Sequence, residues 1–400
     1  MPEARRPPGG ERVPEAGQPS GGERVPEAGR PSGGERVPEA LRPAKREPLL
    51  FGELPELARL PFLPLLHGPT PVEPMRGLEG YFGRGGLWVK RDDLASPLYG
   101  GNKVRKFEFL LADALDRGAR GLWTVGGLAS TQVTATALFG RALGLPVRAL
   151  LFDQAMTRFG RHALLADRAA GAELIYGGPL PLAALSALGE AAFGPRGYAL
   201  VAPGASTPRP NAGFVDGAFE LAEQVRRGEM PRPDAVVVPA GSGGTVAGLA
   251  LGFAYLGWPT EVIGVRITSR LVCHGPWVRA LGEATARALE RAAPRFGRPG
   301  RGPLRLRVEH RAAGRGYGEP TAEAREGARR LVEVTGYEGE VTYSGKALAA
   351  LRRLAAEPEY ARKTLLFWNT LTRVPPPAEG VGPSDLSPPL RRRWHMPLVA

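Results

Sequence analysis

Between residues 87 and 368 the chain alternates short, continuously apolar runs with longer stretches of helical periodicity. "LWVKR" (87–91), "GLWTVG" (121–126), "PVRALLF" (146–152), "YALVAP" (198–203), "DAVVVPAG" (234–241), "EVIGVRI" (261–267) and "TLLFW" (364–368) are too short for helices. They read as strands buried on both faces. Helical periodicity follows most of them: from Lys103, from Ser130, after Phe152, from about Gly213 to Arg226, and in "TVAGLALGFAYLG". Repeated strand-then-helix order predicts an α/β architecture with parallel sheets, whose ligands bind beyond the carboxyl ends of the strands. The folded unit is expected from about Pro48 to Val374.

Outside that unit the pattern fails. "GGERVPEA" starts at Gly9, Gly21 and Gly33, a repeat of period 12. Each copy is too short and polar to bury an apolar face, so residues 1–46 are expected to be disordered. The tail after Val374, "PPPAEGVGPSDLSPPLRRRWHMPLVA", is expected to be unstructured apart from a docked end. Inside the unit, the arginine-rich stretch from Gly282 to Arg315 reads as a solvated helix and loop.

A chain of 400 residues, 43% of them hydrophobic, can bury one large core or two moderate ones. Net charge is +13, but the basic residues are scattered and form no nucleic-acid module, so no nucleic-acid partner is expected. Cys273 is the single cysteine, which excludes an internal disulfide and favours a reducing, cytoplasmic setting. No apolar run is long enough for a membrane span, and the polar start is no signal peptide. The five histidines never take metal-ligand spacing, so no metal site is expected.

Chemistry concentrates in three strand-to-helix turns, "YGGNK" (99–103), "TVGGLAST" (124–131) and "PAGSGGT" (239–245). The third leaves backbone N–H groups free at a helix start beside Ser242 and Thr245, which suits a phosphate; a tight packing turn would use the same glycines. It lacks both the Walker lysine and the dinucleotide glycine order. In the second, Ser130 and Thr131 could be no more than helix caps. The first carries Lys103 in a chain with only six lysines among 53 basic residues. An amine, unlike a guanidinium, can lose its proton and attack a carbonyl.

Together these turns resemble those of the pyridoxal-phosphate enzymes of the 1-aminocyclopropane-1-carboxylate (ACC) deaminase and D-cysteine desulfhydrase family. The resemblance begins with "KRDDLASPLYGGNKVRKFEFLLADAL" and continues in order through "PGASTP", "AGSGGTVAGLALGF", "GYGEPTAEA" and "VTYSGKALAALRRL". It implies fold type II: two parallel-sheet α/β/α domains with the cofactor, pyridoxal 5'-phosphate, between them. On that pattern residues 47–98 and 200–374 form the larger domain, 99–199 a smaller inserted one, and the enzyme is a homodimer acting on a small amino acid. Lys103 becomes the Schiff-base lysine and general base. Gly241, Ser242, Gly243, Gly244 and Thr245 cradle the phosphate, Asn102 and Thr131 contact the cofactor, Ser130 meets the substrate carboxylate, and Tyr317 and Tyr343 are the active-site tyrosines.

Ser344, following the second tyrosine, stands where the family contacts the pyridine nitrogen; it could also cap the helix of "GKALAAL". A hydroxyl there, rather than the glutamate of ACC deaminases, implies β-elimination from D-cysteine to pyruvate, ammonia and sulfide over ring opening of ACC. The chain departs from the family at Thr131 and Gln132, where asparagine and histidine are usual. It departs again at Asn369, Thr370, Leu371 and Thr372, in place of a histidine–threonine–glycine–glycine run. These changes motivate a third reading, a diverged binding protein that keeps the fold without the activity.

Overall fold

In the computed structural model, which describes residues 46–183, 196–297, 302–337 and 339–399, the apolar runs become strands of two sheets. The strands are β1 (Val72–Pro74), β2 (Leu87–Lys90), β3 (Gly121–Gly127), β4 (Val147–Phe152), β5 (Glu173–Gly178), β6 (Tyr198–Val201), β7 (Ala235–Ala240), β8 (Glu261–Arg266), β9 (Leu306–Glu309) and β10 (Leu365–Trp368). Helices of seven residues or more are α1 (Lys103–Asp116), α2 (Thr131–Ala142), α3 (Arg158–Ala169), α4 (Pro208–Arg226), α5 (Gly244–Tyr255), α6 (Gly275–Ala292), α7 (Ala322–Arg330), α8 (Ser344–Ala356) and α9 (Pro388–Trp394).

The larger sheet runs β1-β2-β10-β7-β8-β9, parallel except for β1. All of β7 and β10 is buried, as their unbroken apolar sequences require. Val236, Val238 and Leu366 pack on Phe214, Leu249 and Phe253 of α4 and α5, while Val237, Ile263 and Phe367 on the opposite face meet Leu348, Leu351 and Leu354 of α8. The smaller sheet, β5-β4-β3-β6, is parallel throughout. Leu122 and Val147 share a core with Phe107 and Phe139 of α1 and α2, and Ala149 and Leu151 share another with Leu164 of α3. This is the two-sheet α/β arrangement of fold type II.

A buried ionic network ties α1 to the larger sheet. Arg105 bonds Asp92 and Glu220 at 2.8 Å each, Lys90 reaches Glu220 at 2.6 Å, and the Trp368 indole donates to Asp92 at 2.6 Å. Removing one partner would strand a buried charge, so the network holds the start of α1 in register with β2 and α4.

Three expectations are corrected. The tail after Val374 is ordered: α9 docks on the smaller sheet with Leu386 and Leu390 buried against Leu128, Met156 and Leu164. Arg393 also pairs with Asp153, and Trp394 donates to the carbonyl of Arg161. Two buried leucines set among prolines and arginines in sequence leave no hydrophobic period to read. The stretch 282–315 contains the end of α6 and then β9, which pairs with β8 from Val262↔Leu306 to Val265↔Glu309, so part of it is core sheet rather than solvated loop. β6 belongs to the smaller sheet and crosses the expected domain boundary at 199/200. The "GGERVPEA" repeats lie outside the described residues. Arg46, placed with them, bonds Glu108 and Asp216 and belongs to the folded unit.

Candidate active site

The lysine turn is built by close approach. A Cβ at Gly100 would lie 2.1 Å from the Asp93 carbonyl, and Gly101, at φ +89°, would place one 2.6 Å from that of Thr370. Only glycines let the chain pass between these two backbones. The turn delivers Lys103 as the first residue of α1, buried on the wall of a cavity of about 980 Å³. Its ammonium donates to Asn102 Oδ1 at 2.8 Å, and Asn102 Nδ2 donates in turn to Thr245 Oγ1 at 3.2 Å. Burial alone pushes the Lys103 amine down to about 8.

Opposite, the fully buried β7 ends in Gly241–Thr245 at the start of α5. Gly243 takes the N-cap position at φ +91° with no side-chain cap, which leaves α5's first N–H groups available. Ser242 and Ser206 share a hydroxyl bond of 2.7 Å, and the Gly244 N–H donates to Ser206 Oγ at 3.2 Å. A Cβ at Gly244 would stand 2.7 Å from Lys106 Nζ. In sequence Lys106 reads as a helix-surface cation, but it is buried; among the described residues it donates to the Gly204 carbonyl at 2.8 Å and Ser206 Oγ at 3.2 Å, neither of them charged, and it stands 6.0 Å from the centre of the Phe214 ring. Burial, and then the charge of Lys103, hold it well below the ordinary lysine range. Scarcity of lysine in the chain, and its spacing of three from Lys103, were the signals that could have found it.

The second turn places Ser130 as N-cap of α2, its Oγ accepting from Val133 N at 3.4 Å, with Thr131 and Gln132 beside it on the cavity wall. Gln132 Nε2 donates to Thr124 Oγ1 and to the carbonyls of Val201 and Ala202, which ties α2 to the end of β6. Its Oε1 is buried without a partner, an acceptor facing a site that must supply a donor. Tyr317 and Tyr343 also line the cavity and share a bond of 2.6 Å between their hydroxyls. Burial pushes Tyr317 up to about 12 and Tyr343 well above the ordinary phenol, so both are held protonated. Lysine amine, hydroxyl turn, phenol pair and a dianion-shaped cradle thus face one cavity at the carboxyl ends of both sheets.

A family model described as "Pyridoxal-phosphate dependent enzyme" matches residues 63–370. The chain belongs to that family of enzymes. It is 35% identical over 306 residues to D-cysteine desulfhydrases of Salmonella paratyphi B and Salmonella newport, covering 74% of this chain and 89% of each relative. Among solved structures, an ACC deaminase homologue is similar at 27% identity and a TM-score of 0.65, over 82% of this chain and 95% of that one. An O-ureido-L-serine synthase shares the fold, at 17% identity and a TM-score of 0.50 over 76% and 88%.

Pyridoxal phosphate fits the residues present. The cradle offers N–H groups, three hydroxyls and, in Lys106, a buried cation with no counter-charge, which is what a phosphate dianion requires. Lys103 and Asn102 stand one turn of helix from Lys106, so amine and phosphate receptors share one face of α1. Ser344 is not brought to the cavity wall. It opens α8, with its hydroxyl donating to the Glu340 carbonyl at 2.9 Å and its N–H to the Glu340 carboxylate at 2.8 Å. Asn369, Thr370, Leu371 and Thr372 are buried behind the lysine turn and do not line the cavity either. Thr372 Oγ1 accepts from Gly100 N at 3.0 Å, and the Thr370 carbonyl from Asn102 N at 3.2 Å.

Proposed function

We propose that this chain is a pyridoxal-phosphate-dependent lyase that carries out β-elimination on D-cysteine, releasing pyruvate, ammonia and hydrogen sulfide. The observation that carries the reading is the pair of buried lysines on one face of α1, one aimed at a carbonyl-attacking role and the other at a phosphate. The likeness to D-cysteine desulfhydrases across most of the chain supports the choice of substrate.

When bound, the cofactor supplies the ring over which negative charge at the substrate α-carbon spreads. The protein does the rest. With an amine near 8, Lys103 has a substantial neutral fraction close to neutral pH and can take the α-proton as general base. Ser130 and the free N–H groups of α2's first turn suit a substrate carboxylate. The Tyr317–Tyr343 pair keeps a phenolic proton poised for the leaving group, each ring orienting the other through the 2.6 Å bond. A reducing, cytoplasmic setting and a homodimer belong to the same reading, the first supported by the single buried thiol of Cys273.

The purified protein is assayed with D-cysteine and with ACC. Sulfide and pyruvate from D-cysteine are expected. Release of 2-oxobutanoate from ACC would instead favour ring opening, the reading suggested by the ACC deaminase homologue. Product from neither would refute both.

A further inference from the structure

Among the described residues, five that line the cavity are cations, Lys103, Lys106, Arg266, Arg270 and Arg315, and none carries a carboxylate. In the reading above the two lysines serve the cofactor, and the α-carboxylate of an amino acid has the start of α2. Three guanidiniums remain without a task.

They are not consumed elsewhere. Arg266 donates from Nε to His310 Nδ1 at 2.9 Å, from a second nitrogen to the His310 carbonyl at 3.3 Å, and from the third to the Thr268 carbonyl. All three acceptors are neutral, and a guanidinium with five N–H groups keeps two more to offer. Arg270 joins no ion pair among the described residues. Arg315 approaches Glu319 only at 3.6 Å, on the exposed surface, where such a pair is worth little.

The backbone that carries two of the three is held in place. Arg266 closes β8, at the carboxyl edge of the larger sheet. Arg315 sits between Ala313 and Gly316, whose carbonyls both accept from the buried ammonium of Lys346, at 2.7 and 3.1 Å. The loop that carries Tyr317 into the site therefore presents Arg315 at the same mouth. The volume agrees: 980 Å³ is at the upper end of the roughly 300–1,000 Å³ of small-molecule sites, more than a three-carbon amino acid needs beside the cofactor.

We propose that the substrate is an amino acid whose β-substituent is a second anion able to leave with the Cβ–S or Cβ–O bonding pair, a sulfonate released as sulfite or a phosphate ester released as phosphate, and that Arg266, Arg270 and Arg315 are the receptor for it. This rests on the cavity being the amino-acid site of the proposed lyase, and it leaves the reaction type unchanged. Cysteine then serves as a substrate that lacks the recognised group.

The test is calorimetric titration of the cofactor-loaded protein with both enantiomers of alanine, aspartate, cysteate and O-phosphoserine, each sample's yellow absorption being recorded alongside. At least one acidic amino acid is expected to bind about tenfold or more tighter than alanine, the worth of one charge-assisted contact. The preference should shrink toward unity in the R270Q/R315Q double variant, whose two sites are exposed and do not threaten folding. It should also shrink in the wild type as salt rises. Equal binding of acidic and neutral amino acids by the wild type, or a preference that survives the double variant, overturns the receptor. A yellow protein without the preference leaves the lyase reading standing and removes the receptor. A colourless protein that still prefers acidic amino acids does the reverse.

Discussion

Lys106→Met separates the phosphate receptor from the rest of the site. The substitution keeps most of the buried stem and deletes the ammonium. Without cofactor that ammonium faces Gly204 O, Ser206 Oγ and, at 6.0 Å, the Phe214 ring, none of them charged, and is already pushed toward neutrality, so the variant should melt at the wild-type temperature or above. With pyridoxal phosphate present, it forgoes a charge-assisted contact worth about 1.5–3 kcal/mol, which is roughly 10- to 150-fold in Kd. At a cofactor concentration one hundred times the wild-type Kd, binding stabilises the native state by about 2.7 kcal/mol; a hundredfold weaker site leaves about 0.4 kcal/mol. The cofactor-induced rise in Tm should therefore almost vanish. Melting curves with and without pyridoxal phosphate read this directly, and titration of the yellow absorption gives Kd. Pyridoxal, which lacks the phosphate, is the control, since its affinity should not change. An unchanged Kd for pyridoxal phosphate, or an equal loss for both compounds, would refute the assignment.

Two further outcomes concern Lys103 and the docked helix α9. Lys103 has a folded-state pKa of about 8 against 10.5 for the free side chain, so the rate of cofactor capture should climb through pH 8 and level off well before pH 10. The fold disfavours the charged amine, so the cofactor-free protein also gains stability as pH rises between those two values; Lys103→Met should reduce that slope in urea titrations, leaving the share that the likewise depressed Lys90, Lys106 and Lys346 contribute, and a rate still rising beyond pH 10 would contradict the buried placement. Leu390→Ala opens the contact between α9 and the smaller sheet and should cost about 2–3 kcal/mol in urea denaturation. A cost under about 0.5 kcal/mol would mean that α9 is not docked in solution.

The strands β2, β3, β4, β7, β8 and β10 were legible because burial over most of their length leaves apolar runs too short for helices; β6 was legible from its apolar sequence too, although it is an edge strand with Leu200 exposed, not one buried on both faces. β1, β5 and β9 were not. They are three or four residues of mixed burial, or in β5 a half-exposed edge, and "LRVE" inside an arginine-rich stretch carries no period at all. The helix α4 begins at Pro208, five residues before the expected start, because two prolines in its first turn look like a break in sequence yet occupy positions whose N–H groups have no helical partner. The site was more legible than the edges of the fold. Lys103, Ser130 and the Gly241–Thr245 turn stood out as strand-to-helix turns, Tyr317 and Tyr343 only through the family resemblance, since each could equally be a core aromatic, and all of them reach one cavity. Lys106 and the three arginines escaped notice because a cation on a helix or loop has the same sequence signature whether it is solvated or aimed inward.

The altered turns can now be weighed by where their side chains stand. Leu371 and Thr372 replace glycines of the family pattern, which in sequence suggests a blocked backbone approach; in the structure it is Gly100 and Gly101 on the lysine side that provide the approach, and Thr372 strengthens it by accepting from Gly100 N. Asn369 likewise faces away, donating to Asp93 and to the hydroxyl of Tyr337. These substitutions therefore buttress the lysine turn instead of entering the cavity, and they give no reason to deny the chain its activity. Thr131 and Gln132 are different, because they do line the cavity. Thr131 brings a shorter hydroxyl to the position where the resemblance puts a cofactor contact, and Gln132 brings an unpartnered amide oxygen. Of the altered positions, these two therefore share a cavity with Arg266, Arg270 and Arg315, while the others lie behind the lysine turn.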